Sequence, residues 1–264
     1  MTEIKKLDNG FEYLAVINDA ACVNIALQGA HIFHYARRDK VPALWLSDVS
    51  DFELGKAIRG GVPICWPSFG TNNPNLPQHG FARVFMFELV DVKEKNSSQT
   101  QVVFRLIDSK ETIADYITME LSTINKDTKP FKLTQALHSY FNISHISNVT
   151  VEGLDKKPYF DAVTSKEEKQ DKEIRFEEEV NRVYQEVQNE VVLRDKERSI
   201  GIKNEGSSSV VVWNPWKEKG SRMSAMKNDA YESFVCIESS NAFDDFKILE
   251  PNDTHTLKAT IYCL

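Results

Sequence analysis

The chain has 264 residues, 41% of them hydrophobic, and a formal net charge of −7. That apolar content is enough for one large core, so we expect a single domain over residues 1–264. The acidic charge argues against nucleic acid as a partner, because phosphate backbones bind surfaces rich in Lys and Arg. It leaves room for a small anion held by two or three local cations.

Signals for membranes, secretion and metal clusters are missing from the sequence. No stretch approaches the roughly 18 apolar residues that span a bilayer, and the N-terminal MTEIKKLDNG has no apolar segment of the kind a signal peptide carries. The four cysteines form no CxxC pair, so we expect neither a disulfide framework nor a zinc site. These features predict a cytoplasmic protein without a membrane partner.

Most of the chain predicts β-strands. Short apolar runs separated by polar residues occupy Phe11 to Leu27, and apolar and polar residues alternate from Leu257 to the C-terminus. The other strand candidates are Gln101 to Leu106, Ile117 to Ile124, Phe131 to Tyr140 and Val210 to Trp213. Many short strands punctuated by Gly, Asn and Pro favour an all-β sandwich with few short helices over alternating β–α units.

The stretch from Gly55 to Phe87 is unusual in charge. It contains Lys56, Arg59, His79 and Arg83 but no Asp or Glu, although the chain is acidic. A local island of positive potential suits a cleft for an anionic or hydroxyl-rich ligand, and its glycines and prolines are typical of a binding loop carried by a rigid scaffold. A long surface loop whose arginines only improve solubility is the competing interpretation.

Two titratable residues lie inside apolar strand candidates. His138, in ALHSYFNI, is flanked by aromatic residues, and Glu238 follows the apolar run of FVCIES. Imidazole suits proton transfer near neutral pH, and burial would raise the pKa of a carboxyl toward the range of a general base. A packed histidine with one satisfied hydrogen bond and a carboxylate facing solvent at a strand end are the alternatives.

The segment Ser165 to Arg198 gives conflicting signals. It is dense in Lys and Glu, and apolar residues from Val180 to Val191 recur at helical spacing. An equally local interpretation makes Glu173 to Phe176 and Glu190 to Arg194 strands joined by a tight connection. The prediction adopted is strand, on grounds of the resemblance given below.

Other candidates are read as structural. Trp213 and Trp216 bracket a turn set by Asn214 and Pro215; tryptophan stacks on sugars, but packing is the favoured interpretation. The histidines of GAHIFHY are assigned no chemistry. No H-E-x-x-H, P-loop, dinucleotide-binding or nucleophile-elbow motif occurs, which argues against the corresponding enzyme classes.

Several motifs follow one another from about residue 29 to residue 238. They are GAHIFHY, GKAIRGGVPICWPSFG, QHGFAR, LHSYF, NRVY, VVWNPW and the CIE that ends at Glu238. In this order they resemble the aldose 1-epimerase superfamily, and within it the hexose-6-phosphate mutarotase branch. One such motif alone is weak, whereas the ordered set is highly specific.

The resemblance implies a galactose mutarotase-like β-sandwich that interconverts the α and β anomers of a hexose, with hexose 6-phosphate as the expected substrate. It implies His138 as general acid and Glu238 as general base. The implied substrate-binding residues are Arg59, Gln78, His79, Arg83 and Asn181, with the two arginines receiving the phosphate. Only protons move in this reaction, so no cofactor and no metal are expected.

Two observations keep alternatives open. Asn181 stands where the family usually has Asp, which removes a charge-assisted contact to the sugar, and Ser-Ser-Asn follows Glu238 where relatives often have proline and glycine. The alternatives are a mutarotase for an unphosphorylated aldose, a non-catalytic sugar or sugar-phosphate binding protein on the same scaffold, and an interaction protein that docks through the charged segment 165–198.

Overall fold

The computed structural model describes residues 1–71, 73–106, 109–113, 116–196 and 198–264, with only the backbone described at 109–113. In chain order the strands are β1 (Thr2–Lys6), β2 (Glu12–Ile17), β3 (Ala21–Ala26), β4 (His31–Arg37), β5 (Ile64–Cys65), β6 (Glu88–Asn96), β7 (Gln99–Arg105), β8 (Ser109–Ile113), β9 (Tyr116–Ile124), β10 (Phe131–Leu133), β11 (Gln135–Leu137), β12 (Tyr140–Asn142), β13 (Thr150–Glu152), β14 (Pro158–Asp161), β15 (Lys166–Lys169), β16 (Val180–Tyr184), β17 (Val191–Arg194), β18 (Ser199–Glu205), β19 (Ser209–Asn214), β20 (Phe234–Asn241), β21 (Lys247–Leu249) and β22 (Thr254–Cys263). The α-helix α1 covers Trp216–Gly220, and 3₁₀ turns cover Ala82–Val84, Ile146–Asn148, Ala230–Ser233 and Phe243–Asp245.

These strands form two large antiparallel sheets and two smaller ones. The first large sheet has the order β15-β14-β16-β19-β20-β11-β5, with β12 also paired to β20. The second has the order β13-β17-β18-β22-β9-β8-β7-β6, and β1 to β4 and β10-β21 form the smaller sheets. The all-β sandwich with little helix that the sequence predicts is therefore confirmed.

The main hydrophobic core lies between the large sheets. It takes Val210 and Val212 from β19 and Val235 and Ile237 from β20, and it meets the apolar side of β22 from the other sheet. Along β22 the buried residues Leu257, Ala259 and Ile261 follow one another at every second position, as the C-terminal alternation predicts. The prediction of a single domain stays a prediction.

The charged segment 165–198 contains strands, as predicted, and no helix among its described residues. β15, β16 and β17 run through it. The interpretation with a strand at 173–176 is wrong, because Ile174 makes only an isolated bridge there. The tight connection that it placed after this strand is also wrong, because β16 lies at that position. The helix-like spacing arises because β16 is buried on both faces, so apolar residues do not alternate strictly with polar ones.

No helix within the described ranges has the length and apolar character needed to cross a membrane. This finding agrees with the absence of a long apolar run in the sequence.

Candidate active site

Strand alternation places one row of side chains from β16, β19 and β20 on the face opposite the main core. Asn181 pairs with Trp213, and Val211 pairs with Glu238. Because successive side chains point to opposite faces, the core-facing valines of β19 leave Trp213 and Val211 for this second face. These side chains line a cavity of about 450 Å³.

His138 reaches the same cavity because two short strands flank it and pair with β20. Leu137 pairs with Ser239 and Tyr140 with Cys236, so the register brings residue 138 opposite Glu238. The His138 Nε2 and Glu238 Oε1 atoms are 3.2 Å apart. Both side chains are buried at the base of the cavity, with 11% and 2% of their surfaces exposed.

The loop between β5 and β6 supplies Arg83 to the basic wall of the cavity, and the segment before β5 supplies Arg59. Gly80 has a φ of +69°, and a Cβ there would lie 2.1 Å from the Trp66 carbonyl oxygen. Only glycine fits such a close approach of backbones at positive φ. This contact fixes the turn that carries His79, whose ring lies 5.8 Å from that of His138 between ring centres. The N–H of His79 donates to the Gly70 carbonyl.

The cavity brings together all seven side chains that the sequence singles out as catalytic or substrate-binding. They are Arg59, Gln78, His79, Arg83, His138, Asn181 and Glu238. Lys56, from the same positive stretch, instead faces solvent and pairs with Glu53 at 2.8 Å. The roles assigned to the seven residues stay predictions.

Burial shifts both members of the pair toward their uncharged forms. Burial raises the pKa of Glu238 well above its usual range, as the sequence predicts. The pKa of His138 lies well below its usual value because of burial first, and then because of His79, Arg59 and Arg83. His79 itself has its pKa lowered to about 4, by burial and by the two arginines. His79 and His138 are therefore neutral at pH 7.

Three polar atoms in the cavity lack a partner within the described part of the chain. They are Arg59 Nε, His138 Nδ1 and Glu238 Oε2, all fully buried. An unsatisfied buried polar atom is costly in free energy. Three of them on one cavity wall indicate a site built to receive a polar ligand.

Aromatic side chains that the sequence interpretation assigned to packing, or passed over, also shape the site. The Tyr140 ring stacks on His138 with 4.8 Å between centres and 10° between planes, and the Trp213 ring meets His138 edge-on at 5.8 Å. Trp213 is packed and also lines the cavity. Phe160 and Lys219 line it as well, and no local pattern marks them.

The histidines of GAHIFHY lie outside the cavity lining. His31 is buried, and its Nε2 lies 2.7 Å from the Gly60 carbonyl oxygen, which makes it a structural support for the loop. Within the described ranges, no three His, Cys, Asp or Glu side chains come together as metal ligands would. The expectation of a metal-free site stays a prediction.

The two-sheet sandwich with a cavity on the outer face of one sheet defines a galactose mutarotase-like fold. A galactose mutarotase-like protein from Lactobacillus casei superposes with a TM-score of 0.70 over 96% of this chain and 100% of that chain, at 14% identity. At that identity the likeness concerns the fold alone.

Sequence comparison gives the family. The family model described as aldose 1-epimerase matches residues 13–262, so the chain belongs to the aldose 1-epimerase family and is an isomerase that acts on sugars. An Escherichia coli protein named "Putative glucose-6-phosphate 1-epimerase" is 32% identical over 95% of this chain and 90% of its own length. The crystal structure of a Salmonella typhimurium protein described as a "putative mutarotase" has a TM-score of 0.92 and 29% identity, covering 99% of this chain and 93% of that chain.

Proposed function

We propose that the chain interconverts the α and β anomers of a hexose 6-phosphate, with His138 as general acid and Glu238 as general base. The observation that carries the proposal is the 3.2 Å contact between the imidazole and the carboxyl at the base of a cavity flanked by two arginines. Of the activities open to the aldose 1-epimerase family, this one uses both the acid–base pair and the two arginines of the cavity wall.

The reaction opens the hemiacetal, lets the C1 aldehyde turn, and closes the ring on its other face. Ring opening removes a proton from the O1 hydroxyl and delivers a proton to the ring oxygen O5 while the C1–O5 bond breaks. Either step alone would leave a charge on an oxygen atom. A carboxylate at O1 and an imidazolium at O5 avoid both charges, and each positioned group contributes about 10² to 10⁴-fold.

The spacing of the pair suits this chemistry. The two side chains are in direct contact. O1 and O5 are bonded to the same carbon, so an acid and a base that lie close together can serve both oxygens. The unpartnered Glu238 Oε2 and His138 Nδ1 leave each group a free atom for a substrate oxygen.

A phosphate on the substrate would explain why two arginines line the cavity. Arg59 and Arg83 both line it, and arginine binds phosphate through two parallel charge-assisted hydrogen bonds. Arg59 keeps one buried nitrogen without a partner. A neutral sugar has no need of two guanidinium groups, and the name of the Escherichia coli relative, which specifies glucose 6-phosphate, agrees with an anionic substrate.

The assigned roles are tested by Glu238→Gln and His138→Asn, which remove the charge or the proton transfer but keep similar volumes. We expect the rate of glucose 6-phosphate anomerisation, followed by exchange NMR, to fall by about 10² to 10⁴-fold in each. His145→Asn and Glu232→Gln serve as matched controls, because both residues lie outside the cavity lining. Near-normal rates in either cavity variant, with the fold intact by circular dichroism, would exclude that role.

A further inference from the structure

The charged groups around His138 are arranged unevenly. Tyr140 covers one face of the imidazole, and its hydroxyl accepts a hydrogen bond from Arg59 Nη1 at 3.4 Å. His79 approaches the ring edge-on, and Arg83 donates to the backbone carbonyl of the residue preceding His79, at 2.8 Å. Arg59 thus contacts a ring that stacks on His138, and Arg83 contacts the loop that carries His79.

These cations act on His138 and much less on its partner. The pKa of His138 is lowered by burial, then by His79, Arg59 and Arg83, whereas the pKa of Glu238 is raised by burial alone. Both directions favour the form in which the Glu238 carboxyl holds the proton and the His138 imidazole is neutral. That form has a neutral imidazole and a carboxylic acid, so it carries the proton on the wrong group for the proposed roles.

We propose that an anion bound between Arg59 and Arg83 transfers the proton from Glu238 to His138, so that the substrate's own phosphate converts the pair into its catalytic form. This inference rests on the proposed function, because it concerns the same pair and the same phosphate. The phosphate then acts as an electrostatic activator as well as a means of attachment.

The proton has a short, balanced route. It leaves Glu238 Oε1 as a carboxylate forms and joins His138 Nε2 as an imidazolium forms, across the 3.2 Å contact, with no change in the net charge of the pair. Ring opening then takes a proton from O1 to the carboxylate and gives one from the imidazolium to O5. Ring closure reverses both transfers, so the pair is ready for another turnover.

Other titratable groups near His138 do not compete for this proton. Burial raises the pKa values of Cys65, Tyr140 and Cys236, which stay protonated. His79, with a pKa of about 4, is neutral at pH 7, and Lys219 at the cavity wall is paired with Glu179. The charges that an anion changes are therefore those of the two arginines. A charge within about 4–6 Å changes a pKa by roughly one to three pH units.

The test is NMR of the ¹⁵N-histidine-labelled protein at pH 7, with inorganic phosphate as the probe and no sugar present. The His138 signals are assigned by their loss in His138→Asn. At saturating phosphate we expect the ratio of imidazolium to imidazole at His138 to rise at least about tenfold, while the ¹³C shift of the Glu238 carboxyl moves to that of a carboxylate. Unchanged shifts with phosphate bound, as shown by ³¹P line broadening, would overturn the inference.

Two variants at Arg59 test the effect of its charge on His138 without any bound phosphate. Arg59→Gln removes the cation and should raise the imidazolium fraction of His138 without any anion, whereas Arg59→Lys keeps the charge and should leave His138 neutral. Arg59→Gln should also anomerise free glucose faster than the parent, although it loses efficiency on glucose 6-phosphate. Equal His138 shifts in the two variants contradict the inference.

The two proposals fail in different ways. If the parent protein anomerises glucose 6-phosphate while the His138 shifts never change, the activation by phosphate is wrong and the proposed function stands. If the shifts change on phosphate addition but no sugar is anomerised, the proposed function is wrong.

Discussion

The pKa values of His138 and Glu238 are shifted in opposite directions. Burial lowers the pKa of the imidazole and raises that of the carboxyl, which favours a proton on Glu238 over a proton on His138. Because the two groups are in contact, their titration steps belong to the pair and not to either residue alone. The proposed roles require this proton on His138, because only that form has an imidazolium to act as acid and a carboxylate to act as base.

The pH dependence follows with its sign. The acid limb of kcat/KM, which reports the pKa values of the free protein, should lie below pH 6.5, because the pKa of His138 is lowered, and the alkaline limb should lie above the usual carboxyl range, because the pKa of Glu238 is raised. We therefore expect kcat/KM not to rise with pH above about 6.5. Polarimetry with free glucose measures it, since a phosphate ester itself titrates near pH 6. A kcat/KM that climbs with a midpoint near 7 contradicts this assignment.

The loop between β5 and β6 depends on a few backbone contacts more than on its side chains. The closest is the approach of Gly80 to the Trp66 carbonyl, which sets the turn before Arg83 and after His79. Gly70, in the same loop, also has a positive φ of +75°, but a Cβ there would meet nothing within 4 Å. A side chain at Gly70 would therefore meet backbone strain alone, whereas a side chain at Gly80 would meet both strain and a steric clash.

Alanine substitutions at these two positions should differ in stability. Gly70→Ala should cost about 1–2 kcal/mol, the usual penalty of a side chain at positive φ. Gly80→Ala adds a collision with backbone and should cost about 1–3 kcal/mol more, together with a loss of activity as His79 moves. Urea denaturation of both variants measures the difference, and equal free energies of unfolding would show that the contact at Gly80 does not hold the loop.

Sequence patterns identified the strands and the candidate acid and base residues, but they could not predict which of these residues contact each other in the fold. His138 and Glu238 are far apart in the chain, and their contact depends on the pairing of β11 and β12 with β20, which no local pattern encodes. The resemblance to a family supplied the two roles in advance, but not the strand pairing that brings the residues into contact. Trp213 was predicted to pack, and it does, but strand alternation also exposes its ring to the cavity. The apolar residues of β16 mimic helical spacing because both faces of that strand are buried.

The molecule as a whole is acidic, with a net charge of −7, yet its cavity carries Arg59 and Arg83, and the Glu238 carboxyl is deeply buried at its base. A cleft whose sign opposes that of the surface concentrates ligands of the opposite charge. The exposed Lys and Glu residues of the segment 165–198, such as those of β15, form a solvated edge of the sheet. The charge distribution favours a small anionic sugar over a large acidic partner.

The most direct measurement is saturation-transfer NMR between the α and β anomers of glucose 6-phosphate and of free glucose, with the unmodified protein at pH 7. The account predicts that the protein accelerates exchange of both and that kcat/KM is at least about tenfold higher for the phosphate ester, since a bound phosphate contributes charge-assisted hydrogen bonds worth about 1.5–3 kcal/mol or more. Equal or faster exchange of free glucose would mean that the arginines do not receive a phosphate. Exchange of neither sugar above the background rate would contradict the account altogether.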